Sequence, residues 1–322
     1  MESLIIAGGV SLAWCVFAIW LGPRIGYVDR PDDPALKAHD RPAVPLGGVG
    51  VFLGVNLAGL FRGDLEVGLL AASVIVLVLG LVDDRRGVDP KVRLGVEIVA
   101  AVVLVLGVAG SPGILFLVLG VALVVFAINS VNLFDGLDGL VGSVALVTAV
   151  GLAVLAQGRG LDFVTPLELA AAHAGFLVLN WHPARVFLGD AGSYFVGLFL
   201  AHLIIDSSNE AAVELVVTAG ALGVFAIDML VTLMRRRLNH RPLFVGDRSH
   251  IYDQLRDRGM GVRAIALLAA ATQAALLVLV ILAERVLGPA WGLVTLAALL
   301  LALLAGLARL GFLRVDAQEP QT

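Results

Sequence analysis

The sequence predicts an all-α membrane protein, a single bundle of about eleven transmembrane helices. Hydrophobic residues make up 59% of the 322 residues and charged residues only 15%. The mean hydropathy of +0.97 lies outside the range of soluble domains. Apolar runs that approach the roughly 20 residues needed to cross a bilayer recur from end to end. Because no polar stretch is long enough to form a soluble core, residues 1–322 are predicted to form one integral membrane domain.

The apolar runs place the predicted helices in order along the chain. The first run is interpreted as a helix rather than a signal peptide, because Glu2 is the only early charge and no small-residue cleavage site follows it. It also contains the only cysteine, Cys15, so no intramolecular disulfide can form. The predicted ranges are 3–21, 46–61, 67–82, 94–109, 114–131, 139–156, 166–181, 192–207, 211–233, 264–284 and 289–309.

The distribution of basic residues predicts the orientation of the bundle. With eleven spans the loops alternate between two faces, and nineteen of the 22 lysine and arginine residues fall on the face that holds residues 22–45. Only Arg62, Arg159 and Arg285 fall on the other face. The positive-inside rule therefore places the amino terminus outside and the basic loops in the cytoplasm. The expected location is the inner (plasma) membrane.

Five polar segments share the predicted cytoplasmic face, and any active site is expected there. The outer connections are short and poor in functional groups, which argues against a receptor for large extracellular ligands. We call the five segments loops one to five; they are residues 22–45, 83–93, 132–138, 182–191 and 234–263.

Loop two begins with two adjacent carboxylates at the membrane surface, Asp83 and Asp84. Basic residues follow them, among them Lys91. Carboxylates hold Mg²⁺, and basic side chains neutralise phosphate oxygens that the carboxylates would otherwise repel. A helix end that carries ordinary positive-inside charges is an equal alternative.

Loop three contains acids without basic partners. Asn132, Asp135 and Asp138 are spaced three apart, so a helical segment would turn both carboxylates to one side. Gly136 would let the backbone approach a ligand closely. Because uncompensated carboxylates at membrane depth are costly, this pattern favours a cation or proton site over a solvated turn.

Loop four and the helix end before it supply Asn180, Phe187 and Asp190. Asp190 is a candidate metal ligand. Phe187 could stack on a nucleotide base, with a packing or lipid-facing side chain as the alternative. His182 is expected to be an interfacial histidine rather than a ligand.

Loop five has the composition of an anion-binding segment, with seven arginines and two histidines over residues 235–259. A juxtamembrane basic stretch that attracts anionic lipid is the alternative. The order Asp247, Arg248, His250 is more specific than a polybasic run. Asp228, within the ninth predicted helix, is expected to have a partner because its burial is costly.

Taken together, these motifs resemble the signature set of the polyprenyl-phosphate N-acetylhexosamine-1-phosphate transferases. The segment from residue 28 to 48, with Lys37 and His39, is similar to the D-x-P-x-x-R-K-x-H-x-x-P-x-P-x-x-G-G pattern of the branch that uses UDP-N-acetylglucosamine. The resemblance covers residues 28–255. The motifs that carry it are DD at 83, NLFDGLDGL at 132, FLGDAGS at 187 and HRPLFVGDRSHIYDQL at 240.

Two departures from the family pattern concern substrate contacts. Leu36 replaces the arginine of the R-K pair in loop one. In loop five the family's H-I-H-H keeps only its first histidine, His250, while Tyr252 and Asp253 replace the last two. The roles that the family gives to those later histidines cannot be carried over, which leaves the exact donor sugar open.

The resemblance implies transfer of a sugar 1-phosphate, foremost GlcNAc-1-phosphate, from a UDP-sugar to polyprenyl (undecaprenyl) phosphate, with release of UMP. This reaction is the first membrane step in making a cell-envelope polysaccharide or glycan. It depends on Mg²⁺, with Mn²⁺ as an alternative, and needs the bilayer but no nucleic acid. The number of chains in the assembly stays open, with a homodimer as one alternative.

The resemblance also implies roles for individual residues. Asp190, with Asp135, is the expected metal ligand, while Asp83 or Asp84 contacts or deprotonates the lipid phosphate. Asp138 completes the acidic site. The residues expected to bind substrates are Lys37, His39, Lys91, Asn132, Gly136, Asn180, Phe187, Arg248 and His250.

Two alternatives compete with this interpretation. The branch that transfers phospho-N-acetylmuramoyl-pentapeptide is disfavoured, because loop one has the other branch's pattern and loop five lacks the run of histidines. A secondary transporter could also carry acids in broken helices, but its site should lie near the bilayer midplane with access from both faces.

Overall fold

The structure is a computed structural model that describes residues 1–29, 42–208, 215, 218–242 and 248–314. Every extended regular element in these residues is helical. The other pairing in these residues is limited to isolated β-bridges: Asp29 with Ala43, both in loop one, and Val44 with Val186, which ties loop one to loop four. The prediction of an all-α membrane bundle is confirmed.

The helices follow the predicted apolar runs closely. We number them α1 (Glu2–Arg24), α2 (Gly47–Arg62), α3 (Val67–Arg86), α4 (Pro90–Ala109), α5 (Ile114–Phe134), α6 (Leu140–Arg159), α7 (Val164–Asn180), α8 (Gly189–Asp206), α9 (Gly223–Leu238), α10 (Ile251–Asp257), α11 (Val262–Leu287) and α12 (Pro289–Arg309), with a short 3₁₀ turn at Ala219–Leu222.

Two helices differ from the sequence prediction. The predicted ninth helix, 211–233, lies partly outside the described residues. Its described part, α9, ends at Leu238, because the helix continues past the apolar run into basic residues. A two-turn helix, α10, lies inside predicted loop five, where hydropathy gives no signal.

Seven of the described helices are long and apolar enough to cross a membrane: α1, α3, α4, α5, α6, α11 and α12. Two further apolar helices are shorter, α2 with 16 residues and α7 with 17. The count of eleven spans and the orientation stay predictions.

Helix α8 forms the centre of the bundle. Every residue from Ala191 to Ile205 is buried, and α8 packs against α3, α5 and α2. Glycines permit this close packing. A Cβ on Gly48 of α2 would overlap the backbone of Gly192, and a Cβ on Gly80 of α3 would overlap the backbone of Ala191. The amino terminus of α8 is thereby held beside the carboxyl end of α3, which positions the site described next.

Candidate active site

A cavity of about 840 Å³ at one end of the bundle is lined by residues from all five loops. Segments far apart in the chain meet here because consecutive helices run antiparallel and return to the same end. The lining includes Asp29 and Pro45 of loop one, Asp84 of loop two, Asn132, Asp135, Gly136 and Asp138 of loop three, His182, Phe187 and Asp190 of loop four, and Arg248, His250, Tyr252, Asp253 and Arg256 of loop five.

Three aspartates, Asp84, Asp135 and Asp190, form what we call the acidic side of the cavity. Asp84 is bound to the start of α8. Its Oδ1 accepts a hydrogen bond from the backbone N–H of Asp190 at 2.9 Å, and its Oδ2 accepts from Ala191 at 3.4 Å. The carboxylate therefore satisfies the free N–H groups at the start of α8, where the helix dipole favours negative charge. Gly189, with φ of 75°, makes the turn into α8.

Asp190, in the first turn of α8, is oriented by an amide from loop three. Asn132 Nδ2 donates to Asp190 Oδ1 at 2.8 Å and to Ser193 Oγ at 3.0 Å. Asn132, predicted to bind substrate, lines the cavity, and its side-chain amide donates hydrogen bonds to α8. Its observed role is to fix the carboxylate.

Asp135 lies just beyond the end of α5, among other acids. Burial raises its pKa to about 8, and the negative charges of Asp190, Asp84 and Asp138 act in the same direction. Among the described residues, the charges that act on this carboxyl group are all acidic. A cation bound here would remove an electrostatic cost that the protein alone leaves in place.

The acidic side fits a divalent cation shared with a phosphate ligand. Within the described residues, no three acidic, histidine or cysteine side chains form a metal-binding group. Mg²⁺ does not require such a cage, because it is commonly held by one or two carboxylates, several waters and substrate phosphates. Asp190 and Asp135 supply oxygen ligands of this kind.

Asp138 and Asn180 hold loops three and four together. Asp138 Oδ2 accepts from His182 Nδ1 at 2.7 Å and from the Ala184 N–H at 3.0 Å. Asn180 accepts from the Gly139 N–H at 3.0 Å and donates to the Val186 carbonyl at 2.9 Å. Asn180 is one of the residues predicted to bind substrates, and both its side-chain oxygen and its side-chain nitrogen are hydrogen-bonded to the backbone.

Asp83 and Asp84 face different surroundings although they are adjacent. Successive residues in a helix point about 100° apart, and Asp83 lies outside the cavity lining. It accepts hydrogen bonds from Tyr194 Oη and from the Val88 N–H at 2.7 Å, and it lies 3.6 Å from Arg93. Asp83 thus joins α3, α4 and α8.

Lys91 lies outside the cavity as well. It is exposed in the first turn of α4, where its backbone N–H donates to the Asp89 side chain at 2.8 Å. Three other residues of the sequence interpretation, Lys37, His39 and Asp247, lie outside the described residues.

The basic side of the cavity consists of Arg248, His250 and Arg256. His250 is buried, and its Nδ1 lies 2.7 Å from Asp228 Oδ2. The other oxygen of Asp228 accepts from the Ile251 N–H at 2.9 Å. Asp228 therefore has the partner that its burial predicted, and it fixes both the imidazole and the start of α10.

Tyr252 and Asp253, the two departures in loop five, both have structural contacts. Tyr252 Oη donates to the Leu133 carbonyl at 3.2 Å, and a Cβ on Gly136 would overlap its ring. Gly136 thus permits the approach of Tyr252. Asp253 accepts from the His250 N–H at 3.3 Å; burial raises its pKa to about 6, although His250 and Arg248 oppose the shift.

Phe187 presents its side chain to the cavity from a backbone tied to loop one. Its N–H donates to the Val44 carbonyl at 3.0 Å, and its carbonyl accepts from the Gly47 N–H at 2.9 Å. This pairing leaves a half-buried ring on the cavity wall.

Sequence reasoning missed Arg256, which was counted only as part of a basic composition. The signal that could have found it is its spacing: it lies four residues after Tyr252, so both share one face of α10.

Comparisons with known proteins agree with this architecture. Residues 67–208, which carry Asp84, Asp135 and Asp190, match the model of glycosyl transferase family 4. The decaprenyl-phosphate N-acetylglucosaminephosphotransferase of Mycobacterium tuberculosis is 32% identical over 302 residues, covering 77% of this chain and 73% of the relative. The undecaprenyl-phosphate alpha-N-acetylglucosaminyl 1-phosphate transferase of Salmonella typhi is 30% identical over 257 residues, covering 71% and 69%. With such identity over most of both chains, this protein belongs to glycosyl transferase family 4 and, within it, to the branch of the N-acetylglucosamine 1-phosphate transferases.

Proposed function

We propose that this membrane transferase moves GlcNAc-1-phosphate from UDP-GlcNAc to a polyprenyl phosphate, giving polyprenyl diphosphate GlcNAc and UMP. The observation that carries the proposal is the meeting of three carboxylates and a basic side in one cavity at one end of the bundle. The names of the relatives support the acceptor and the sugar. A product of this kind begins a cell-envelope polysaccharide or glycan.

The proposed roles on the acidic side follow from its geometry. Asp190 and Asp135 would hold Mg²⁺ or Mn²⁺, and the bound ion would neutralise charge on the diphosphate oxygens. Asn132 keeps the Asp190 carboxylate turned toward the cavity. Asp84 lies beside them and is assigned the acceptor phosphate, from which it takes the residual proton.

The reaction balances without water or a redox partner. A phosphate oxygen of the lipid bonds to the phosphorus that carries the sugar, the bond from that phosphorus to the bridging oxygen breaks, and UMP leaves with that oxygen. Phosphate monoesters lose their second proton near pH 6, so the acceptor is largely ionised at neutral pH. We therefore favour direct attack. The protein supplies positioning and charge neutralisation.

The donor is assigned to the remaining lining residues. Phe187 offers a face on which the uracil ring can stack. Arg248 and His250 are assigned the diphosphate or the sugar, with His250 held by Asp228. Lys37 and His39 stay proposed contacts of the lipid phosphate or the donor, on the strength of the loop-one pattern alone.

A transporter is the weaker alternative. The described residues that line the cavity come from helix ends and loops at one end of the bundle. A transporter site is expected near the midplane, at breaks within helices. The arrangement supports chemistry at a membrane surface instead.

The proposal is tested with the purified full chain in detergent micelles. UMP and the lipid product are measured with a panel of UDP-sugars, polyprenyl phosphates of several lengths, and either MgCl₂, MnCl₂ or EDTA. We expect product only with lipid phosphate and divalent cation, and UDP-GlcNAc as the preferred donor. A preference for UDP-N-acetylmuramoyl-pentapeptide, or activity that survives EDTA, would contradict the proposal.

The proposed cytoplasmic orientation has its own test. Lys91 is exposed on the same face as the cavity but outside its lining, and the native Cys15 is buried. In Lys91→Cys, impermeant thiol reagents should label the new cysteine in inside-out vesicles and leave it unlabelled in intact cells. Labelling in intact cells would reverse the orientation.

A further inference from the structure

Helix α10 forms a fixed part of the cavity wall. Its start is tied to Asp228 through the Ile251 N–H, and Tyr252 joins it to loop three. Gln254 Nε2 donates to the carbonyls of Ser249 at 2.9 Å and Phe312 at 3.1 Å. Side chains that α10 presents to the cavity therefore stand on a platform whose position is set by several independent bonds.

Arg256 lies on this platform, next to the cavity. It lines the cavity, and its Nη1 is buried without a hydrogen-bond partner among the described residues. A buried charged donor without an acceptor is costly, and such groups in native structures call for an explanation. An anionic ligand in the cavity would supply the missing acceptor.

The chemistry of the side chain indicates which anion. A guanidinium is always charged and matches the oxygens of a phosphate with two parallel hydrogen bonds. The carboxylates of the acidic side would repel an oxyanion, whereas the positive charges of the basic side would attract it. We infer that Arg256 is a phosphate-binding residue of this site, contacting an oxygen of the donor diphosphate or of the acceptor phosphate. The inference rests on the proposed function and adds a residue to it.

The test compares Arg256→Gln and Arg256→Lys with a matched control, Arg258→Gln. Arg258 is two residues further on, and its guanidinium lies over the Phe312 ring at 4.0 Å and donates to the Leu310 carbonyl at 3.1 Å. It does not line the cavity. The three variants remove or keep charge at the same end of α10, so a difference between them reports the cavity contact.

Steady-state kinetics in which each substrate is varied in turn identify the phosphate. For Arg256→Gln we expect the KM of one substrate to rise about tenfold or more, the effect of losing a charge-assisted hydrogen bond. A rise for UDP-GlcNAc assigns the contact to the donor, and a rise for polyprenyl phosphate assigns it to the acceptor. Arg256→Lys should be intermediate, since an ammonium keeps the charge but loses the planar fork.

Direct binding separates failure of this inference from failure of the proposed function. Affinities for UDP and for polyprenyl phosphate are measured on the same proteins, with uridine and polyprenol as uncharged controls. Weaker binding of one phosphate probe by Arg256→Gln supports the inference even if no transfer is found. Unchanged affinity for both probes, relative to Arg258→Gln, overturns it. If Arg256→Gln does not fold, Arg256→Lys decides by the same comparison.

Discussion

The acidic side of the cavity lies at the ends of long helices, whereas the basic side lies on the segment that joins α9 to α11. On the acidic side, backbone N–H groups and an amide hold Asp84 and Asp190. On the basic side, His250 is held by the side chain of Asp228. The family pattern is kept on the acidic side and changed on the basic side, at Tyr252 and Asp253. We therefore propose that the acidic side carries the reaction and that the basic side sets affinity and donor choice.

The largest expected effect comes from Asp190, the carboxylate proposed to bind Mg²⁺. Asp190→Asn keeps the shape of the side chain but removes the negative charge that is proposed to bind Mg²⁺. Turnover at saturating UDP-GlcNAc should fall by more than about 100-fold, as for lost stabilisation of a charged transition state. Asp206→Asn, an exposed change at the opposite end of α8, is the matched control. Near-normal turnover in Asp190→Asn would break the assignment of chemistry to the acidic side.

The adjacent aspartates of α3 give the next largest difference. Asp84→Asn removes the carboxylate that lines the cavity, so turnover should fall about 100-fold, at the lower end of the usual range for a proton-transfer group. Asp83→Asn weakens contacts with Tyr194 and Arg93 outside the cavity. This variant should have a lower Tm, while its turnover should fall less than that of Asp84→Asn. A reversed order, with Asp83→Asn less active than Asp84→Asn at equal stability, would show that Asp83 is the reacting group.

Phe187→Ala tests whether Phe187 stacks on the uracil base, and its effect on activity should be smaller than those of Asp190→Asn and Asp84→Asn. Phe187→Ala removes a surface worth about 1 to 3 kcal/mol in base stacking, so the KM for UDP-GlcNAc should rise about tenfold. The KM for polyprenyl phosphate should stay unchanged, and Phe187→Tyr should retain binding. A normal KM for UDP-GlcNAc in Phe187→Ala would reduce Phe187 to a packing residue.

The smallest expected effect is a change in donor ranking. The double variant Tyr252→His and Asp253→His introduces the two histidines of the family pattern. It removes the hydrogen bond from Tyr252 to Leu133 and the bond by which Asp253 caps α10. We expect activity to remain while relative rates among UDP-sugars shift by a fewfold. An unchanged ranking would move the specificity to loop one. Activity lost with no change in Tm would place these positions in the reaction itself.

The long apolar helices and the grouping of the five loops at one end of the bundle could be predicted from the amino-acid order. Hydropathy along a chain is a local property, and the alternation of antiparallel helices brings every second loop to the same end of the bundle. The order of apolar runs and polar loops therefore predicts that Asp135 and Asp190 lie on one face of the bundle, and the family resemblance assigns them to one site.

The hydrogen-bond partners of the polar groups around the cavity could not be predicted without the packed structure. Asn132, Asn180 and Asp138 were predicted to contact substrates or complete the acidic site. They do line the cavity, and each also makes hydrogen bonds that join distant segments of the chain. The sequence could not separate Asp83 from Asp84 either, because the rotation of α3 about its axis is set by packing against α8. Hydrogen-bond partners depend on that packing, and neighbours in space are not neighbours in the chain.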